Sequence, residues 1–201
     1  MSWIETIDYA HAGPELKRIY DRIKGPDNYI DNVLLIHSLR PHTLVGHMTL
    51  YKNVLHNTNN TLPKRYLEAI GVYVSALNKC QYCIDHHYAG FRRLNGDDIQ
   101  SENFRRCAIE DNISEFFSGK ELAGCAYAKK ITLHHHDITE HDIKILRNTG
   151  FSDGEILEIN QVACYFNYVN RMVDGLGVNT DGDSLGLSPG KSDDPNSWAH
   201  E

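Results

Sequence analysis

The chain has 201 residues, a formal net charge of −7 and 41% hydrophobic residues. This length supports one substantial core, and the hydrophobic content is ordinary for a soluble globular protein. The acidic balance, without a Lys/Arg stripe that could neutralise phosphates, argues against a nucleic-acid-binding protein. No apolar run approaches the roughly 20 residues that span a bilayer.

The N-terminal residues and the cysteines together predict a cytoplasmic protein. Residues 1–5 lack the basic region and the apolar stretch of a signal peptide. The five cysteines are scattered and odd in number, which argues against a structural disulfide framework. In a reducing compartment a C-x-x-C pair is more often catalytic or metal-binding than structural.

Apolar residues recur at helical spacing along most of the chain, whereas strand-like alternation is scarce. This pattern predicts an all-α, single-domain helical bundle. Pro14 begins the first helix, and Gly25-Pro26 end it. Residues 33–39 form a short apolar segment, and the next helix carries the apolar positions Leu44, Met48, Tyr51 and Leu55.

The two following helices contain most of the chemically useful side chains. The first begins at Pro63 and contains Glu68. Asn78 is predicted to cap the second, because Gln81 three residues later completes a capping-box pattern. Asn95-Gly96 end that helix.

Helix signals continue to the final part of the chain. Helices are predicted over residues 98–109 and 121–133, and Thr139 and Ser152 read as N-caps of two more. Beyond residue 178 the composition shifts to Gly, Asp, Ser and Pro, which predicts an irregular or frayed tail. The chain is therefore divided into an N-terminal helical segment (1–39), a helical domain (40–178) and a C-terminal tail (179–201).

One internal similarity is compatible with a degenerate helical repeat. Leu67-Glu68 superposes on Leu157-Glu158, and the same offset places Asn170 on Cys80. Two unrelated amphipathic helices explain the similarity equally well.

The segment Cys80-x-x-Cys83-x-x-x-His87 is the most informative feature of the chain. At about 100° per residue these three side chains share one helix face, and His87 follows Cys83 at the spacing of helical neighbours. Exposed N–H groups in the first turn favour a thiolate. Cys83, nearer His87, is predicted to attack a peroxide, and Cys80 to close the disulfide. Glu68, on the preceding antiparallel helix, would orient His87.

Other interpretations of these residues remain open. The C-x2-C-x3-H spacing could hold zinc, with His86 as a fourth ligand, or the cysteine pair could be incidental. His86 otherwise reads as an ordinary exposed neighbour, and the run of histidines at 134–136 reads as a helix end rather than a metal site. Cys107, Cys125 and Cys164 are most simply small core residues. The redox interpretation requires no organic cofactor and no metal.

Glu68 and, twelve residues later, Cys80-x-x-Cys83-x-x-x-His87 resemble the alkylhydroperoxidase D-like part of the carboxymuconolactone decarboxylase superfamily. The resemblance covers residues 40–178, and the chain is similar to the longer, peroxidase-related members. The best-known alkylhydroperoxidase D proteins have a second histidine between the cysteines, where this chain has Tyr82.

That resemblance implies an all-α fold, a homo-oligomer (trimer or hexamer) and thiol-dependent reduction of alkyl hydroperoxides. An external dithiol or disulfide-reducing protein would donate the electrons. Glu68 and His87 would form a proton relay, Cys83 would be the peroxidatic cysteine and Cys80 the resolving one. The alternatives are a lactone decarboxylase of the same superfamily and a non-enzymatic zinc- or partner-binding module.

Overall fold

The computed structural model describes residues 1–190 and 192–200. Within these ranges the chain forms helices and contains no β-strand, only two isolated bridges. The prediction of an all-α fold is confirmed. None of the helices in this part of the chain has the length and apolar content needed to cross a bilayer. The α-helices are α1 (Pro14–Ile23), α2 (Asn32–Leu35), α3 (Pro41–Leu55), α4 (Lys64–Leu77), α5 (Gln81–Asn95), α6 (Asp98–Ile109), α7 (Gly119–His134), α8 (Glu140–Asn148) and α9 (Asp153–Gly175).

The helix starts follow the predicted local signals closely. Proline occupies the first turn of α1 and α3. Capping boxes begin α8, between Thr139 and Asp142, and α9, between Ser152 and Glu155. Each box satisfies backbone N–H groups that the helix cannot satisfy itself, so these short polar motifs determine where the two helices start.

Helix α4 lies at the centre of the protein and packs against α5, α7 and α9. Its residues from Tyr66 to Ser75 are all buried, which is the property of a helix surrounded by other elements. Glu68 lies within this stretch, so its carboxylate is removed from water and needs a partner inside the protein.

The turn between α4 and α5 differs from the prediction. Asn78 is the C-cap of α4, and Cys80 is the N-cap of α5. Lys79 takes a φ of 61°, and the Cys80 N–H donates to the Ser75 carbonyl at 2.9 Å. This left-handed turn satisfies the last carbonyl groups of α4. The prediction that Asn78 caps α5 is therefore wrong.

Gly71 on α4 allows Phe166 of α9 to approach closely. A Cβ atom at Gly71 would lie 2.3 Å from atoms of the Phe166 ring. The substitution Gly71→Ala is therefore expected to lower the free energy of unfolding by about 1–3 kcal/mol, measured by chemical denaturation. Gly46 is the control, because a Cβ there meets nothing within 4 Å, and Gly46→Ala should stabilise by about 0.4–1 kcal/mol. Equal effects at both positions would contradict this packing.

Over residues 179–190 and 192–200 the C-terminal segment is irregular, and it is packed rather than frayed. Trp198 is buried, and the Arg22 guanidinium lies 3.7 Å from the centroid of its ring. Arg93 on α5 donates to the Gly186 carbonyl at 3.0 Å. His200 is also buried, with its Nδ1 2.9 Å from the Ile23 carbonyl oxygen. The segment is thus held against the helical body at several points.

The internal sequence similarity between the segments around Glu68 and Glu158 extends over one helix only. Helix α9 continues without a break from Asp153 to Gly175, across the positions that would match the turn between α4 and α5.

Candidate active site

Glu68 of α4 and His87 of α5 form a hydrogen-bonded pair. The Nδ1 atom of His87 lies 2.8 Å from Oε2 of Glu68, and both side chains are largely buried. Because a carboxylate only accepts hydrogen bonds, we assign the proton to Nδ1, which leaves the lone pair of Nε2 free. The edge-to-face contact of His87 with Phe166, whose ring centroid is 4.5 Å away, helps to fix the imidazole.

The two thiols of the motif lie side by side at the start of α5. Cys80 is the N-cap, Cys83 is in the first turn, and both are buried free thiols. Their side chains are within hydrogen-bonding reach of each other. The structure therefore brings together the pair that the spacing predicted.

Burial controls the protonation of Cys83. Loss of solvation raises the pKa of its thiol well above the ordinary value, and neighbouring Cys80 raises it further, while a hydrogen bond from Asn170 acts in the opposite direction. Desolvation therefore opposes the effect of the helix start, which was predicted to favour a thiolate at Cys83. The resting thiol is protonated at neutral pH, so it needs a base.

The reactivity of Cys83 is accordingly expected to rise with pH. A thiol with a raised pKa is protonated below that pKa and gains thiolate only as the pH approaches it. In a Cys80→Ser background, the rate of Cys83 alkylation by iodoacetamide, followed by mass spectrometry, should still be increasing at pH 9. A plateau reached below pH 7 would show instead that the thiolate is already formed.

A buried asparagine network lies behind Cys83. Asn78 donates to Oδ1 of Asn170 at 2.9 Å, and Asn170 donates to the Ser75 hydroxyl at 3.1 Å. Asn170 is fully buried. Its helical spacing from Phe166 and Val173 places it on the apolar face of α9. That spacing is the sequence signal from which the burial of Asn170 could have been predicted.

A small, partly enclosed cavity of about 40 Å³ lies beside Cys83 and His87. Aromatic and imidazole rings form much of its wall, and none of the described lining residues is Lys or Arg. Leu187 and His200 of the C-terminal segment also line it. A larger, open groove of about 930 Å³ on the outer side of α5 and α6 contains neither Cys83 nor His87. The cavity is therefore the candidate substrate site.

Three aromatic and imidazole side chains of the cavity wall, His47, Tyr51 and Tyr165, are kept neutral by burial. Burial lowers the pKa of His47 to about 3, and its Nδ1 atom has no hydrogen-bond partner. Burial also raises the pKa of Tyr51 and Tyr165 well above that of a free phenol. These three residues offer neutral hydrogen-bonding groups to a small molecule, and nothing in their local sequence indicated this role.

His86 has a different environment from the one predicted. It is buried rather than exposed, and its Nε2 lies 3.1 Å from Oδ2 of Asp183 in the C-terminal segment. The Tyr82 hydroxyl, at the position between the cysteines, donates to the same oxygen at 2.7 Å. Tyr82 therefore binds the C-terminal segment.

The potential metal ligands do not include the cysteines. Among the described residues, the group of His, Cys, Asp and Glu side chains close enough to hold an ion consists of Asp31, His86 and Asp183. The zinc interpretation of Cys80, Cys83 and His87 therefore finds no support in this arrangement. Residues 134–136 do not belong to such a group either.

The three remaining cysteines divide into two kinds. Cys107 and Cys125 are buried, as predicted, but Cys164 is exposed on α9. Its sequence neighbours are apolar, yet its own position lies on the outer face of the helix.

Comparisons with known proteins agree with this fold. Residues 44–100, which include both cysteines, Glu68 and His87, match the model of the carboxymuconolactone decarboxylase family. No curated protein is similar enough in sequence to give a match.

Several solved structures are similar to this chain. An uncharacterized peroxidase-related protein with an alkylhydroperoxidase core, from Ralstonia eutropha JMP134, superposes with a TM-score of 0.75 at 22% identity, over 89% of this chain and 91% of its own. A peroxidase-related protein from Silicibacter sp. TM1040 has a TM-score of 0.68 at 28% identity, over 75% and 76%.

The debrominase Bmp8, solved as a cysteine-to-alanine variant with 2,3,4-tribromopyrrole, has a TM-score of 0.63 at 18% identity, over 83% of this chain and 85% of its own. The helices that carry Glu68, Cys80, Cys83 and His87 thus lie in the segment that matches the carboxymuconolactone decarboxylase family. Most of the chain shares its helical fold with peroxidase-related structures that have an alkylhydroperoxidase core.

Proposed function

We propose that this protein is a thiol-dependent peroxidase that reduces small hydroperoxides through a Cys80/Cys83 dithiol–disulfide cycle. The observation that carries the proposal is the Glu68–His87 pair, whose imidazole lies on the wall of the same small cavity as Cys83. A buried thiol, a base with a free lone pair and a second thiol in reach are the groups that such a cycle needs.

The first step oxidises Cys83. His87 takes the thiol proton on Nε2, and the negative charge of Glu68 stabilises the imidazolium that results. The thiolate attacks the terminal peroxide oxygen, so the O–O bond breaks and an S–O bond forms. The leaving alkoxide takes the proton back from His87, which yields an alcohol and a sulfenic acid on Cys83.

The second step closes the disulfide. The Cys80 sulfur attacks the Cys83 sulfenic acid, and the hydroxyl group leaves as water with the Cys80 proton. Two thiols are oxidised and one hydroperoxide is reduced. An external dithiol then restores both thiols by exchange through a mixed disulfide.

The cavity favours this reaction over lactone decarboxylation. A carboxylate-bearing lactone needs a cation to offset the desolvation of its charge. The described cavity wall has no Lys or Arg and contains the Asp31 carboxyl. A neutral hydroperoxide meets no such penalty.

Reductive dehalogenation is the second candidate. Tyr51, Tyr165 and His47 form an aromatic wall beside Cys83, and flat rings pack well against such side chains. Two thiols and one bromo-substituted ring would yield the debrominated ring, bromide, a proton and a disulfide. The similarity to a debrominase of the same fold makes this reaction worth a direct comparison.

The test is an assay with three substrate classes and dithiothreitol as electron donor. Purified protein is given cumene hydroperoxide, a bromopyrrole or a carboxylated lactone, and loss of peroxide, release of bromide and release of CO₂ are measured. The proposal requires peroxide reduction to be the fastest reaction and to stop without dithiol. Bromide release without peroxide reduction would support the second candidate, and CO₂ release from a protein lacking both thiols would establish the decarboxylase.

A further inference from the structure

Three ionisable side chains from distant parts of the chain converge beside the cavity. Asp31 precedes α2, His86 lies on α5 and Asp183 lies in the C-terminal segment. Their potential ligand atoms are all within 4.8 Å of one another, and the three side chains are at most 9% exposed. Nothing in the peroxidase cycle uses them.

The spacing of these atoms suits a bound ion. Nitrogen and oxygen ligands lie about 2.1 Å from Zn²⁺, so neighbouring ligands in a tetrahedral site are about 3.4 Å apart. The distance between His86 Nε2 and Asp183 Oδ2 is 3.1 Å. The ligand atoms of all three residues lie within 4.8 Å of one another, so small side-chain shifts would bring them onto one small divalent cation.

The charge of the site is also incomplete. Two buried carboxylates lie close together, and the partners that the structure gives them include the hydroxyls of Tyr29 and Tyr82 and the Asn32 N–H. None of these groups carries a positive charge, and the other neighbours of the carboxylates, the imidazoles of His86 and His200, do so only when protonated. Buried carboxylates are costly unless a cation offsets them, and a metal ion would supply that charge.

His200 provides an independent indication. Its Nδ1 lies 2.9 Å from the Ile23 carbonyl oxygen, so Nδ1 carries the proton and Nε2 presents a lone pair. That Nε2 atom is 3.7 Å from Oδ2 of Asp31, too far for a hydrogen bond. A backbone carbonyl that holds the far nitrogen in this way is the usual support of a metal-ligating histidine.

We propose that Asp31, His86 and Asp183 bind one divalent transition-metal ion, and that His200, whose Nε2 lies 3.7 Å from Oδ2 of Asp31, moves toward the ion as the fourth ligand. Two imidazoles and two carboxylates match Zn²⁺ best among the common ions. The ion would fasten residues 179–200 to the helical body beside Cys83. This inference does not depend on the peroxidase activity, because metal binding can be measured without any substrate.

The experiment measures metal binding to the whole chain. Protein stripped with a chelator is titrated with ZnCl₂ by calorimetry, and bound zinc is counted by mass spectrometry after dialysis. One ion per chain is expected, with an increase in melting temperature. Asp183→Asn and His86→Gln should each weaken zinc binding by about 100-fold or more. Replacing a residue that only hydrogen-bonds to a metal ligand typically costs less than this.

Three controls separate the possible outcomes. Tyr82→Phe removes a hydrogen bond to Asp183 but no ligand, and Asp181→Asn changes an exposed carboxylate in the same segment. Both variants should still bind one ion, as should the double variant Cys80→Ser/Cys83→Ser. The proposal fails if stripped wild-type protein binds no zinc, if Asp183→Asn binds as tightly as wild type, or if removal of the thiols abolishes binding.

Discussion

Replacing Cys83 by serine is expected to lower the rate of peroxide reduction by about 10⁴-fold or more, the scale seen when a catalytic nucleophile is removed. Serine keeps the size of the side chain, but its hydroxyl cannot be oxidised by the peroxide. The rate is measured as loss of cumene hydroperoxide with dithiothreitol as donor. Cys164→Ser is the matched control, because this exposed cysteine lies on the outer face of α9, and its activity should equal that of the wild type.

Cys80→Ser should behave differently from Cys83→Ser. The Cys83 thiol can still react once, so one equivalent of peroxide is consumed and a sulfenic acid accumulates, which dimedone traps for mass spectrometry. Turnover through the intramolecular disulfide then stops. The opposite result, with trapping at Cys80 in the Cys83→Ser variant, would mean that the two cysteines have exchanged roles.

Glu68→Gln is expected to lower kcat by about 10²–10⁴-fold, the range associated with general acid–base catalysis. Glutamine retains the shape of the side chain but not the charge that stabilises a protonated His87. KM should change little, since the Glu68 carboxylate is buried against α5 and is not among the residues that line the cavity. Steady-state kinetics on correctly folded protein, verified by circular dichroism, provide the measurement.

A purely structural role for Glu68 predicts another result. The variant would then lose thermal stability while each folded molecule kept the wild-type kcat. Glu102→Gln is the control, because this exposed carboxylate on α6 accepts a hydrogen bond from the Tyr88 hydroxyl at 2.6 Å. Its replacement should leave kcat unchanged.

Local sequence patterns predicted the helices well, for a clear physical reason. Helices α8 and α9 begin at capping boxes at Thr139 and Ser152, and α1 and α3 begin at prolines. Each of these signals affects only the backbone of the few residues next to it. Helical spacing likewise brought Cys83 and His87 onto one face. Features of this kind depend on little beyond the segment that contains them.

Features that depend on burial were harder to predict. The start of α5 would favour a thiolate, but Cys83 is buried there beside Asn170 of α9, and loss of solvation raises the pKa of its thiol. Whether Glu68 faces water or the core depends on how α4 packs, and its immediate neighbours did not decide that. The spacing of residues in the sequence indicates which face of a helix a side chain lies on. It does not indicate how deeply that side chain is buried in the protein.

Contacts between distant segments were not predictable at all. Tyr82 and His86 bind Asp183, about 100 residues later in an irregular segment. That segment has the composition of a frayed tail. Its sequence has no periodic pattern that would predict that Leu187 and His200 line the cavity. Such pairings need three-dimensional coordinates.

The most direct test counts thiols before and after one equivalent of cumene hydroperoxide, under denaturing conditions and without reductant. The wild type should fall from five thiols to three, and peptide mapping should locate the new disulfide between Cys80 and Cys83. The Cys83→Ser variant should keep all four of its thiols. Five unreacted thiols in the wild type, or a disulfide that excludes Cys83, would contradict the mechanism.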